Sequence, residues 1–283
     1  MMFGVGPGQL TSDAAMLGID PNDQRQRMME SFEVIKALFA SETVNAETDW
    51  FICRDAVLQM KPYSNFEVAC ASTMSPSGSK LAGRYGTGMI SVAATEPAAF
   101  EVLDYNYQVW NEEAARNGHV ADRNSWRLMG PMHIAETEAE ARKNCEYGLQ
   151  WIFNYLSHII PLGDPNAPPP PTDYEAFVDA ALESGQMVIG TPDMAVAQLH
   201  RLQEKTGGFG SFLMFGADIA NWPTTKRSYE LFAEEVMPHF TGQLNPVQTS
   251  YDFVTGQGNK WVDATLTAQL NTIAEYEEER AVR

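Results

Sequence analysis

Cysteine and positive charge are what this sequence has least of. Its three cysteines, Cys53, Cys70 and Cys145, are odd in number and far apart. Neither a disulfide framework nor a paired-cysteine metal site is therefore expected. Nineteen Lys and Arg stand against 37 Asp and Glu, a formal net charge of -18. Nucleic acids and anionic membranes are bound by clustered cations, so neither is expected as a partner. No apolar run reaches the roughly 18 residues of a membrane span. The opening MMFGVGPGQL lacks the basic-then-apolar order of a secretory signal. With a cysteine usage suited to a reducing compartment, a cytoplasmic location is expected. The histidines, His119, His133, His158, His200 and His239, form no HxH or HExxH pattern, and no metal is expected. His133 is the one to follow, although a hydrogen-bonded structural histidine is the commoner role. A GxSxG elbow and a local Cys–His signature are also missing, so no catalytic residue is assigned.

What is present is an alternation of short apolar runs with longer amphipathic segments. The 283 residues, 44% hydrophobic and 20% charged, have the composition of a soluble globular enzyme. That length allows two domains or one α/β barrel. Strands are expected at 1–5, 68–71, 88–92, 126–134 and 209–215, and a small hairpin from Trp50–Ile52 and Ala56–Met60. Helices are expected over 22–40, from about 78 to Tyr85, 98–117, 136–160, 174–183, 192–205, 224–237 and 265–280. Strands alternating with helices imply βαβ units and a parallel sheet. The run GDPNAPPPP within Leu162–Thr172 excludes helix and reads as a surface loop.

Two segments suggest chemistry. Gly4-Val5-Gly6-Pro7-Gly8 superficially suggests a dinucleotide fingerprint, but Pro7 interrupts it and the next helix begins well past Gly8. A tight strand-to-loop turn is the better reading. Ser72-Thr73-Met74-Ser75-Pro76-Ser77-Gly78 lies between a strand and a helix. Its hydroxyls and first-turn N–H groups suit a phosphate, yet an ordinary helix cap is the more frequent use of such residues. Arg127 has no fixed side of its strand; if buried it requires an anionic partner, although a surface Arg is the commoner case. Cys70 reads as a small buried hydrophobe. Trp110, Trp126, Trp151 and Trp222 read as packing residues, and the 14 methionines as core or pocket filling.

Several stretches, taken in chain order, carry a resemblance: FGVGPGQLTSDAAMLGID, QRQRMMESFEVIKALF, the TDWF and DAVLQMKP pieces, SPSGSKLAGRYGTG, WRLMGPMHIAETEAEAR, GTPDMAVAQLHRL and RSYELFAEEVMPHF. From Phe3 to about Phe240 the chain resembles the bacterial-luciferase-like family of flavin-dependent monooxygenases. The terpene-hydroxylating branch, the limonene monooxygenases, is the nearest in look. The resemblance implies a TIM (β/α)8-type barrel that uses reduced FMN and O2 to oxygenate an apolar, terpene-like substrate. It also implies a separate flavin reductase and a homodimer. Carried over by position, Met74, Ser75 and Gly78 fall on phosphate contacts, Ser72 beside the flavin ring, and Ser77 next to them. This tips the Ser72–Gly78 loop toward an anion site.

In that family FGVGPG lies on the fourth strand, commonly after an Arg that has no counterpart here. The barrel is thus expected to be incomplete, lacking about three βα units. It would span 1–240 with a Pro-rich insertion at 162–190, followed by a C-terminal helical tail at 241–283. A start placed at an internal Met and a truncated paralogue both account for this. A sulfonate-oxidising branch has a catalytic His where Pro131 stands and an Arg where Met129 stands, so its substrates are not expected. Two other functions remain open: hydride transfer with a deazaflavin on the same fold, and flavin binding without catalysis by a truncated paralogue.

Overall fold

Short apolar runs bounded by glycine and proline form the strands of this protein. The computed structural model describes residues 2–160 and 169–281. It divides into two compact units, Met1–Phe232 and Ala233–Arg283. In chain order the strands of the first unit are β1 (Met2–Val5), β2 (Val44–Glu47), β3 (Ile52–Ala56), β4 (Glu67–Ser72), β5 (Gly88–Ser91), β6 (Trp126–Gly130), β7 (Met132–Ile134), β8 (Val188–Gly190) and β9 (Ser211–Met214). Five of them form one sheet in the order β1-β4-β5-β6-β9. Every pair in it is parallel. The strands expected at 1–5, 68–71, 88–92 and 209–215 are thus found, but the one expected over 126–134 divides at Pro131: its first part is β6 of this sheet and its second, β7, pairs in parallel with β8 in a separate two-stranded sheet. Val5 pairs with Cys70 and Ser72 with Ser91, which brings the carboxyl ends of β1, β4 and β5 to one edge. Ligand sites of α/β sheets form at that edge.

Helices Ser77–Tyr85 and Leu103–Arg116 lie against each other at Gly83, where a Cβ would meet Glu113 Cβ at 2.6 Å and the Trp110 carbonyl oxygen at 2.7 Å. Trp110 and Trp126 are buried; Tyr107 stacks on Trp126, whose indole N–H donates to Ser91 Oγ at 2.9 Å. Trp151 and Trp222 are instead 69% exposed each, so they are not packing residues. Arg127 answers the question its strand left open. Its guanidinium pairs with both oxygens of Glu67, reaching from β6 to β4 across β5. Gly88 leaves the passage clear, since a Cβ there would lie 2.8 Å from Glu67 Oε1.

Other segments depart from the sequence expectation for local reasons. The hairpin lies at β2–β3, not at 50–60. Thr48 Oγ1 accepts the N–H groups of Trp50 and Phe51, so Trp50 and Phe51 form the turn. The helix expected over 136–160 is two, Glu138–Cys145 and Leu149–Ile159. They break at Gly148, where a Cβ would sit 2.1 Å from the Asp218 carbonyl oxygen. The helix expected over 224–237 runs from Trp222 to Leu231, capped by Asn221, and gives way to a π-helical turn over Phe232–Val236. Pro238 has no N–H with which to extend an α-helical ladder. Strand β8 and a short helix, Thr11–Met16, had no expectation at all.

Of the proline-rich loop, residues 161–168 lie outside the described residues. Beyond it, Phe177, Val178, Met187 and Ile189 pack with Cys145 and Leu149 in a second core cluster. Burial pushes the Cys145 thiol up to about 12 and raises that of Cys70, so both remain protonated. In the second unit, helices cover Asn245–Gly256 and Lys260–Ala281, neither with a buried residue. The last helix begins at Lys260, earlier than the Thr265 expected from sequence. No described helix is long and apolar enough to cross a membrane.

Candidate anion-binding site

The apolar strand β4 ends on Ser72, which is buried and hydrogen-bonds through Oγ to Ser79 Oγ at 3.0 Å. This ties the first turn of helix Ser77–Tyr85 to the strand that precedes it. No side chain caps the helix. Its first-turn N–H groups, those of Ser77, Gly78 and Ser79, have no intrahelical acceptors and sit at the positive end of the helix dipole. Gly78 makes the tight turn feasible: a Cβ there would lie 1.9 Å from the Ala71 carbonyl oxygen and 2.7 Å from its carbon. Ser75 and Ser77 share a hydroxyl hydrogen bond of 2.9 Å.

Between this loop and the turn after β1 lies a cleft of about 470 Å³. Of the residues singled out from sequence, Ser72, Met74, Ser75 and Ser77 line it. Gly78 does not, and instead seats the helix against the strand. The opposite wall is the Gly6-Pro7-Gly8 turn, which Gly8 enters at φ +83° and where a Cβ on Gly6 would meet Ala71 Cβ at 3.2 Å. The GVGPG segment is thus a tight turn, as read, and it also forms a wall of the site.

Sequence reasoning missed Arg25, which reaches the cleft from the first turn of helix Gln24–Phe39. It has no acidic partner among the described residues. Only the pairing of β1 with β4, distant in sequence, brings this cation to the hydroxyl loop. An arginine at the start of an amphipathic helix otherwise reads as a solvated charge. Hydroxyls, helix N–H groups without intrahelical acceptors and an exposed guanidinium around one cleft form a donor set suited to a phosphate monoester.

His133 lies elsewhere, on β7. It is 2% exposed, its Nε2 has no hydrogen-bond partner, and burial pushes its pKa down to about 4. The folded protein therefore holds it neutral while the unfolded chain protonates it near 6.5. This contribution to stability is complete above that value and is lost as the pH falls toward 4. Wild-type unfolding free energy is expected to fall by up to about 3 kcal/mol more than that of His133→Leu between pH 7 and pH 4. Parallel denaturant titrations check this, and identical pH profiles would refute it.

A curled parallel α/β sheet with a donor-rich cleft at its strand carboxyl ends is the arrangement in which barrel-type enzymes carry their ligand sites. Comparison with known proteins places it further. The luciferase-like monooxygenase family matches over residues 1–208. The chain is 47% identical to limonene 1,2-monooxygenase of Rhodococcus erythropolis over 283 residues, all of this chain and 72% of the relative. It is 35% identical to 4-hydroxyprotoasukamycin monooxygenase of Streptomyces nodosus subsp. asukaensis over 261 residues, 90% of this chain and 69% of that one. Among solved structures, the FMN complex of the oxygenating constituent of 3,6-diketocamphane monooxygenase from Pseudomonas putida superposes with a TM-score of 0.61 at 20% identity. That superposition covers 83% of this chain and 70% of that one. The chain belongs to the luciferase-like monooxygenase family, and its sheet is the curled half-barrel of that fold.

Proposed function

We propose that this protein is a flavin-dependent monooxygenase that binds reduced FMN in the β1–β4 cleft and oxygenates an apolar, terpene-like substrate with O2. The observation that carries the reading is the cleft itself, where Ser72, Ser75, Ser77 and Arg25 converge with the uncapped helix start. The name of the 47%-identical relative supports a monoterpene-like substrate. The five parallel strands stand for consecutive strands of a (β/α)8 barrel, and Ser75, Ser77, Arg25 and the first-turn N–H groups of helix Ser77–Tyr85 would hold the flavin phosphate. Bound reduced FMN supplies the electrons that activate O2. The protein's own part is to grip the phosphate, orient the ring and keep water from the reacting atoms. That division of labour accords with the absence of a triad or zinc-type motif in the sequence. A separate reductase would deliver the reduced cofactor.

The test is oxygen-dependent, mass-shifted product from a cyclic monoterpene, using the purified protein, FMN and a flavin reductase. Binding of a deazaflavin in preference to FMN would overturn the cofactor, and tight FMN binding without turnover would overturn the enzymatic reading. Arg25→Ala is expected to weaken FMN binding about tenfold and leave riboflavin binding unchanged, because the lost contact is a charge-assisted one to the phosphate. Fluorescence titration with both flavins measures the difference, and equal loss for the two would remove Arg25 from the phosphate site.

A further inference from the structure

We propose that Asn106 is the positioning residue of the hydroxyl-rich loop: by holding the Thr73 carbonyl it turns the Met74 N–H into the cleft. The inference rests on that loop being the phosphate site proposed above. Asn106 comes from helix Leu103–Arg116, far along the chain from the loop, and is fully buried. Its Nδ2 donates to the Thr73 carbonyl oxygen at 2.9 Å. The carbonyl of Thr73 and the N–H of Met74 belong to one planar trans peptide, so they point in opposite directions. Drawing the carbonyl toward the helix layer therefore directs the N–H the other way, toward the cleft that Thr73 and Met74 line. The preceding carbonyl is withdrawn as well, since Ser72 accepts the N–H of Val92 at 3.0 Å. Two successive carbonyl dipoles that would repel an anion are thus taken up by groups outside the site.

The remaining valence of Asn106 argues against simple packing. Its Oδ1 is buried without a partner. Leaving such an atom without a partner is unfavourable, and a leucine of similar volume would avoid it. The helix that carries Asn106 is itself held at fixed distance from helix Ser77–Tyr85 by the close approach at Gly83. One bracket therefore sets both the helix start and the loop before it.

The test compares FMN and riboflavin, which differ by the phosphate alone, on the full chain. In Asn106→Leu, FMN affinity is expected to fall about fivefold, with riboflavin affinity unchanged, as loss of one directed donor predicts. Asn106→Ser, a smaller side chain that cannot span to Thr73, is expected to do the same and serves if the leucine variant does not fold. An unchanged FMN-to-riboflavin ratio in a folded variant, even with a lower melting temperature, would show a purely structural role and overturn the proposal. If the wild-type protein itself binds FMN no better than riboflavin, the phosphate reading of the loop fails and the Asn106 inference falls with it.

Discussion

Gly78→Ala is expected to lower the melting temperature by about 5–10 °C and to weaken FMN binding more than tenfold. The added methyl would lie 1.9 Å from the Ala71 carbonyl oxygen and 2.7 Å from the carbonyl carbon, both backbone atoms of a central strand. Neither can swing aside as a side chain would. The helix start must lift off β4, at a cost of about 3 kcal/mol. That movement also pulls the first-turn N–H groups away from the cleft and strains the Ser72–Ser79 hydrogen bond of 3.0 Å. Stability and affinity should therefore fall together. Gly4→Ala is the control, since nothing lies within 4 Å of the added carbon on β1, and it should change stability by less than about 0.5 kcal/mol. Thermal unfolding and flavin titration of the two variants decide the matter, and a Gly78→Ala protein as stable as wild type would refute this account of the loop.

The second large effect is electrostatic. Ser75→Asp should reduce FMN affinity between tenfold and a hundredfold while hardly altering riboflavin binding. Ser75 is half-buried on the cleft wall, with its hydroxyl against Ser77 Oγ. A carboxylate there would face the phosphate it is proposed to hold. At about 4 Å and an effective dielectric near 20, two like unit charges repel by about 4 kcal/mol, which partial exposure and the nearby Arg25 reduce. Ser75→Asn has nearly the same shape without the charge and should lose less than threefold. Raising the salt concentration should recover part of the aspartate variant's loss. Equal FMN affinity in wild type and Ser75→Asp would sink the assignment of this loop to the phosphate.

Much of the sheet could be read from the sequence because its information is local. Val68–Ala71 and Gly88–Val92 are short apolar runs closed by serine, threonine or glycine, and such runs make buried parallel strands. The order of strand, hydroxyl-rich loop and helix was legible for the same reason, although the residues alone favoured an ordinary side-chain cap, which the helix does not have. What stayed hidden depends on contacts between distant segments. Arg25 joins the site only because β1 pairs with β4. The break at Gly148 follows from the approach of the Asp218 carbonyl, which no periodicity in 136–160 records. Asn106 looked like any polar residue in the amphipathic helix after Pro97, yet it is fully buried beneath the loop. The hairpin was misplaced because Val44–Glu47 is half polar, and the turn-forming role of Thr48 outweighs the apolar pull of Trp50 and Phe51.

The ion pair between Arg127 and Glu67 gives the sheet a clasp at its floor, opposite the edge that carries the cleft. It skips one strand and passes over a residue with no side chain, so it acts like a pin through three leaves. Sliding β5 by one residue would put Met89 in place of Gly88 under the pin and block it. The depth of the cleft is thereby indexed from the far end of the strands, and the loops above can vary in sequence without disturbing the register that aligns them.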